Sequence, residues 1–285
     1  MAKSSTCEVN PLSGTLGAEI AGVDLSELGD QQFSEIRKAF YRYQVISFRD
    51  QDITPEQQIA FATRWGTINV NRFFRPMDGY PMIAEVRKEP DQRQNIGEDW
   101  HTDHSYDTKP AFASMLYAKV VPAVGGDTLF ASMCAAYDAL SDGMQHMLSN
   151  LTARHSSRHV FGYSMQDAES RRTGRVVNPD QAVQDAIHPV VITHPRYGRR
   201  ALYVNPDFTV GFEGWTDEES KPLLEYLYQH ASHPQFTCRV SWAKGSLVMW
   251  DNRATWHCAL NDYHGQRRLM HRITVEGEPL SRDVN

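Results

Sequence analysis

FTCRVSW (Phe236–Trp242), SLVMWD (Ser246–Asp251) and MHRITVEG (Met270–Gly277) are the three runs whose reading decides the fold. Each is short and rich in β-branched, aromatic and long apolar residues. Each is separated from the next by glycine and asparagine, the punctuation of strands rather than of helices. Working upstream, PMIAEV (Pro81–Val86), FASMLYAKV (Phe112–Val120) and GDTLFAS (Gly126–Ser132) repeat the texture, and LGAEIAGVDL (Leu16–Leu25) alternates small apolar with polar residues. Helical periodicity is confined to a few stretches. Asp30 opens one through Phe33, Ile36 and Phe40, which runs into the buried strand VISF (Val45–Phe48). Thr54-Pro55-Glu56-Gln57 is a capping box with proline at the first helical position, followed by a buried face of Ile59, Phe61, Ala62 and Trp65 and ended by Gly66. A further helix is expected over Cys134–Leu148, and another opens at Thr216 with Glu219 and runs through Leu223, Leu224 and Leu227. Many short strands with few peripheral helices predict a mainly β fold, a sandwich or jelly-roll barrel decorated with helices. The organisation expected is a single domain over residues 1–285. Its segment at about 155–185 is polar and aperiodic, an insertion suited to covering a site as a lid.

Composition narrows the function classes. The 285 residues are 41% hydrophobic and carry a net charge of −6, enough chain for a sizeable core. No lysine- or arginine-rich block is present, which argues against a nucleic-acid or anionic-membrane surface. Cys7, Cys134, Cys238 and Cys258 lie far apart with no CxxC pair, so neither a zinc ribbon nor a disulfide framework is indicated, and a reducing cytoplasm suits them. The start, MAKSSTCEVNPLSG, lacks the apolar core of a signal peptide, and no apolar run approaches membrane-spanning length. The expectation is a soluble cytoplasmic protein.

The sharpest local feature is WHTDH (Trp100–His104). On a strand, alternation would put His101 and Asp103 on one face, two-thirds of a facial triad that leaves coordination positions open for substrates. The second histidine must come from elsewhere, and His257 in WDNRATWHCAL is the candidate. A structural His–Asp pair is the plain alternative, and a zinc hydrolase using the same His/Asp/His ligands is another. For the hydrolase, the first imidazole of the dense HxHxDH cluster is missing. Arg268 and Arg272, four apart on the last strand, share a face, and two inward guanidiniums require anionic partners. Structural salt bridges would satisfy them, but so would the carboxylates of a chelating oxo acid and of a substrate.

The sequence resembles the taurine dioxygenase / aryloxyalkanoate dioxygenase family of Fe(II)- and 2-oxoglutarate-dependent oxygenases. The likeness covers almost the whole chain, and its motifs are WHTD (Trp100–Asp103), GGDTLF (Gly125–Phe130), WDNRATWH (Trp250–His257) and RxxxR at Arg268 and Arg272. GWTDEESKPLLEYLYQHASHPQFTCRV (Gly214–Val240) is especially close to the aryloxyalkanoate branch. The resemblance implies a double-stranded β-helix (jelly roll) in which His101, Asp103 and His257 bind Fe(II). It implies that Thr128 and Arg268 hold the distal carboxylate of 2-oxoglutarate, Arg268 standing eleven positions after the distal histidine as in the family. Arg272 matches the arginine that takes the acidic group of the primary substrate. The reaction implied is O2-dependent oxidation of a small anionic organic substrate, by hydroxylation or with C–O or C–S cleavage, releasing succinate and CO2.

The loop WGTINVNRFFRPMDGYP (Trp65–Pro81) departs from the taurine pattern. Asn71 stands where taurine dioxygenases carry a sulfonate-binding histidine. Asparagine can hydrogen-bond a substrate but brings no charge, which argues against taurine itself. Arg72 and Arg75 could supply that charge or be solvated loop residues. His104 and Tyr106 follow the metal motif and are candidates for the substrate pocket, with Phe73, Phe74, Phe161 and Phe208 as candidate walls. Family members are often dimers or tetramers, which leaves a homo-oligomer open, although no heptad marks an interface.

Overall fold

The computed structural model describes residues 7–162, 174 and 176–283. Its large sheet runs in the spatial order Glu8–Pro11, Ala18–Ala21, Val45–Phe48, Leu247–Asp251, Ala113–Val120, Arg268–Val275, Tyr80–Lys88 and Pro76–Met77, and Ile68–Asn69 also pairs with Arg268–Val275. A second sheet sets Thr128–Ser132 between Thr237–Val240 and Thr255–Ala259. Within these two sheets the pairing is antiparallel except between Ala18–Ala21 and Val45–Phe48. The three runs of the C-terminal region thus supply strands to both sheets. This is the jelly roll expected from the strand texture.

Alternation along the strands explains how the layers meet. Val248, Trp250, Val45, Leu116, Ala118, Val86 and Met270 of the large sheet pack with Phe130, Cys238 and Val240 of the second one, so these inner faces form one core between the sheets. The intervening residues Leu247, Met249, Met115, Tyr117, Ile46, Phe48 and Ile273 point the other way, against Phe33, Ile36, Phe40, Phe61 and Ala62 of two covering helices. Being buried on both faces, Val45–Phe48 and Leu247–Asp251 read as continuous apolar runs rather than as alternating ones. Behind the second sheet, Ala131 and Trp256 pack against Met133, Tyr137, Leu224 and Leu227.

The helices obey their capping signals. Asp30–Tyr43 buries Phe33, Ile36, Ala39 and Phe40 and stops where Gln44 turns left-handed at φ 65°. Thr54 and Gln57 close the predicted capping box over Pro55–Thr63, and Thr216 and Glu219 close theirs over Asp217–Ala231. One expectation fails: the single helix over Cys134–Leu148 is two, Met133–Asp138 and Asp142–Leu148. The break falls where Ser141 uses its hydroxyl to accept from Met144 N–H and starts a new helix, a local competitor that apolar periodicity does not register. The lid expected at about 155–185 lies partly outside the described residues. Its described parts include the end of the strand Thr152–Ser156, the short helix Arg158–Phe161 and the start of the strand Asp185–Pro189. Among the described residues no helix is long and apolar enough to cross a membrane.

Phe40 is fully buried, with the rings of Trp65 and Phe112 at 5.0 and 5.8 Å from its own. Phe40→Ala is expected to cost about 3–5 kcal/mol through lost burial and a residual cavity. An unchanged urea midpoint would contradict the packing described for this layer.

Candidate active site

The first local event is a backbone one. His101 and His257 exchange reciprocal amide hydrogen bonds of 3.1 and 2.8 Å, an isolated antiparallel bridge that brings their rings to 4.0 Å between centroids. His257 lies on the strand Thr255–Ala259, but the HxD pair does not lie on one. Beyond His101 the chain turns at once, and His104 adopts the left-handed region at φ 58°. The expectation of strand alternation is therefore corrected: His101 and Asp103 converge through a turn anchored by one bridge.

Hydrogen bonds then aim each donor. Nδ1 of His101 donates to Asp99 O at 2.8 Å, since a carbonyl can only accept, and so the Nε2 lone pair is left to face inward. Ser114 Oγ donates to Asp103 Oδ2 at 2.7 Å and itself accepts from Asn252 Nδ2 at 3.1 Å. The other oxygen, Oδ1, lies 3.8 Å from Nε2 of both histidines. The donor atoms of His101, Asp103 and His257 all fall within 4.8 Å of one another, and all three residues are buried. Gly97 backs this arrangement at φ +73°, where an added Cβ would stand 2.8 Å from His101 Cε1.

Electrostatics set the protonation states. Burial alone would raise the Asp103 carboxyl, but Arg272 and the imidazoles of His257, His101 and His104 together hold it far below the ordinary carboxylate range. Burial pushes His257 well below the usual imidazole value, and His101 and Arg272 push it further. The set presents a carboxylate and imidazole lone pairs, the state a divalent cation requires.

Two cavities adjoin the three donors. One, of about 160 Å³, is lined by His101, Asp103, His104, Tyr106, Phe208 and Arg272 among others. A smaller one, of about 40 Å³, shares His101 and Arg272 with it and is lined also by Thr128, His257 and Arg268. Arg268 is 5% exposed, and its Nε and Nη2 have no hydrogen-bond partner. Its guanidinium lies 5.5 Å from the centre of the Trp242 ring, and Nε1 of that tryptophan donates to Thr128 Oγ1 at 3.0 Å. Burial lowers the Arg268 pKa, with Tyr263 and Asp127 offsetting part of the loss. A buried cation with two unsatisfied nitrogens is unfavourable unless an anion joins it, and a carboxylate matches its fork.

The remaining candidates divide. Arg272 lines both cavities, yet it already has an anion: Nη2 stands 2.8 Å from Asp103 Oδ1. Asn71 lines the larger cavity, but its Oδ1 accepts from the N–H groups of Phe73 and Phe74, both at 2.9 Å, so only its amide nitrogen is left for a ligand. Tyr106 is buried against His104, Phe73, Phe161 and Phe208. Phe74, Phe161 and Phe208 line the same cavity, whereas Phe73 stacks behind on Phe161 at 4.3 Å. Arg72 does not supply a free charge, because Asp107 takes its guanidinium through two contacts of 3.0 and 3.1 Å, and Arg75 is exposed.

Sequence reading missed Ser114, Gly97 and Asp207. The first two act only through distance and carry no motif of their own. Asp207, in the turn-forming Asn205-Pro206-Asp207, borders the larger cavity with its side chain 20% exposed. Burial raises its pKa, and Asp99 adds to the rise while His101 and His159 oppose it.

The geometry has close counterparts. The family model described as taurine catabolism dioxygenase TauD, TfdA family, matches residues 8–274. An (S)-phenoxypropionate/alpha-ketoglutarate dioxygenase of Sphingobium herbicidovorans is 32% identical over 98% of this chain and 98% of its own. An alpha-ketoglutarate-dependent sulfate ester dioxygenase of Pseudomonas putida is 34% identical over 95% of this chain and 90% of its own. The crystal structure of a putative alpha-ketoglutarate-dependent taurine dioxygenase from Burkholderia xenovorans superposes with a TM-score of 0.82 at 35% identity, covering 97% of this chain and 95% of that one. The chain belongs to the TauD/TfdA family and is a 2-oxoglutarate-dependent dioxygenase.

Proposed function

We propose that this dioxygenase oxidises a small organic acid, with His101, Asp103 and His257 holding Fe(II) and the Thr128–Arg268 pocket holding the distal carboxylate of 2-oxoglutarate. The observation that carries the assignment is the pair of orphaned nitrogens on buried Arg268, in a pocket that shares a wall with three convergent metal donors. Two imidazoles and one carboxylate suit Fe(II) and leave positions for a chelating keto acid. A zinc hydrolase built on the same ligands would give Arg268 no anion to meet.

When bound, Fe(II) with 2-oxoglutarate and O2 supplies oxidising chemistry, the keto acid leaving as succinate and CO2 as a substrate C–H bond is oxidised. The chain's own contribution is placement and exclusion of water. Asp99 O and Ser114 Oγ aim His101 and Asp103 so that the donor set is assembled before any ligand arrives. Thr128 and Arg268 give the cosubstrate one orientation. Arg272, shared with Asp103, brings positive charge to the boundary between the two cavities, where the acidic group of a substrate would share it. Phe74, Phe161, Phe208 and Tyr106 form the walls that keep water from the reacting carbon. Substrates named for the relatives, a phenoxypropionate and sulfate esters, are small organic acids of this kind. The four unpaired cysteines fit work in a reducing compartment such as the cytoplasm, and we read residues 1–285 as one domain.

His257→Ala or Asp103→Ala is expected to abolish both metal retention and 2-oxoglutarate-dependent succinate release. Full turnover by the His257→Ala protein would sink the ligand assignment. Arg268→Ala should weaken 2-oxoglutarate binding by about 30-fold or more, as expected for truncating one partner of a desolvated charge pair. Calorimetric titration of the Mn(II)-loaded protein reads this directly, and an unchanged Kd removes Arg268 from the cosubstrate site. Gly97→Ala, by pressing on His101, should weaken metal binding about tenfold or more. Equal metal affinity by equilibrium dialysis would mean that Gly97 does not set the position of that ring.

A further inference from the structure

Away from the metal donors, two further cavities meet at one arginine. One, of about 240 Å³, has Tyr41, Trp65 and Phe112 in its wall. The other, of about 350 Å³, is lined by residues of the C-terminal segment. Arg196, Arg253 and Glu278 line both. Neither shares a lining residue with the two cavities beside His101, so this place is distinct from the oxygenase site.

Arg253 stands between the strands Leu247–Asp251 and Thr255–Ala259 and is 2% exposed. Its guanidinium lies 4.4 Å from the centre of the Phe112 ring. Asp251 Oδ1 accepts from its backbone N–H at 3.0 Å and from Nε at 3.5 Å, and Oδ2 of that carboxylate accepts from Nε2 of buried His194 at 2.7 Å. Nη1 donates to Glu278 Oε1 over a long 3.4 Å, and Nη2 has no hydrogen-bond partner among the described residues. A second idle donor belongs to the same wall. Nε1 of Trp65 is buried, also without a partner among the described residues. A guanidinium and an indole can only donate, so what both lack is an acceptor, and leaving them buried and unmet is unfavourable.

Glu278 fills that need poorly. Its side chain is 50% exposed and stands 3.4 Å from Arg253 and 3.8 Å from Arg196, long contacts for charged partners. A carboxylate half in solvent gains little from such pairs, so another anion can displace it. Because Glu278 lines both cavities, its departure opens the guanidinium to each. Three aromatic side chains in the smaller cavity favour a flat ring, and Glu276 in the same wall disfavours a second negative charge.

We propose that this is a second ligand site, which takes a small aromatic monocarboxylate. Its carboxylate replaces that of Glu278 on Arg253 and supplies the acceptor that Trp65 lacks, while its ring lies against Tyr41, Trp65 and Phe112.

The test is calorimetric titration of benzoate into the protein loaded with Zn(II) and 2-oxoglutarate, a state that does not turn over. Benzoate is expected to bind with a Kd of about 1 mM or tighter. Benzamide, which lacks the charge, should bind about tenfold or more weakly. Glu278→Gln removes the competing carboxylate and should tighten benzoate about threefold. Trp65→Phe keeps a ring but removes the donor, and should weaken benzoate about threefold or more. In proton–nitrogen spectra, the indole N–H signal that Trp65→Phe deletes should shift as benzoate is added to the unaltered protein, a change that a merely structural Trp65 would not give. The proposal is overturned if benzoate fails to bind at millimolar concentration, if benzamide binds as well, if either substitution leaves the Kd unchanged, or if that signal does not move. Benzoate binding that responds to Arg272→Ala but to neither of these substitutions would place it beside the metal donors and equally overturn the proposal. Should Trp65→Phe fail to fold, Glu278→Gln and the benzamide comparison still decide.

Discussion

The paired amide hydrogen bonds between His101 and His257 are the constraint on which the site depends. They are the one place where the loop Trp100–Asp107 borrows the regularity of the second sheet. The grip on Asp103 then comes from the other layer: Ser114 and Arg272, both on large-sheet strands, hold its two oxygens. The donor cluster is consequently spanned between the sheets rather than carried by either. A site held in this way needs little ordering when a cation arrives, because the side-chain entropy is already lost on folding.

The polar groups behind the loop extend the same logic. His188 Nε2 faces the carbonyls of Ser105 and Asp107, both at 3.0 Å, and His155 Nδ1 reaches Ser105 Oγ at 3.2 Å. Burial lowers the pKa of both imidazoles, so they serve as neutral hydrogen-bonding struts. The left-handed His104 thus sits in a loop braced on both flanks. Without such bracing a non-glycine residue in that region of backbone space would tend to relax.

Much of this was legible in the chain. Strands appear where β-branched and aromatic residues cluster, and both capping boxes close as read, because these signals are local and their physics is local. The donor residues were legible because an HxD pair, a distant histidine and an RxxxR spacing are rarely combined by chance. What remained hidden was relational. No property of WHTD shows that it turns rather than extends, since its geometry comes from a partner more than a hundred and fifty residues away. Ser114 looks like any small residue in an apolar strand. Arg72 and Arg272 are the same residue type, yet Asp107 pairs with one and Asp103 with the other, facts set only when the loops fold. The helix expected across Ala139–Ser141 fails for the opposite reason, a hydroxyl whose local bond outweighs a continuing apolar stripe.

Arg268 has a consequence for the life of the folded chain as well as for its chemistry. A guanidinium enclosed with two idle nitrogens lowers the stability of the empty protein, and whatever satisfies it is favoured only in the folded state. Under the assignment proposed above, the cosubstrate acts by mass action as a folding ligand, raising the stability of the folded chain as its concentration rises above its Kd. The enzyme is in this sense sturdiest when there is work for it to do.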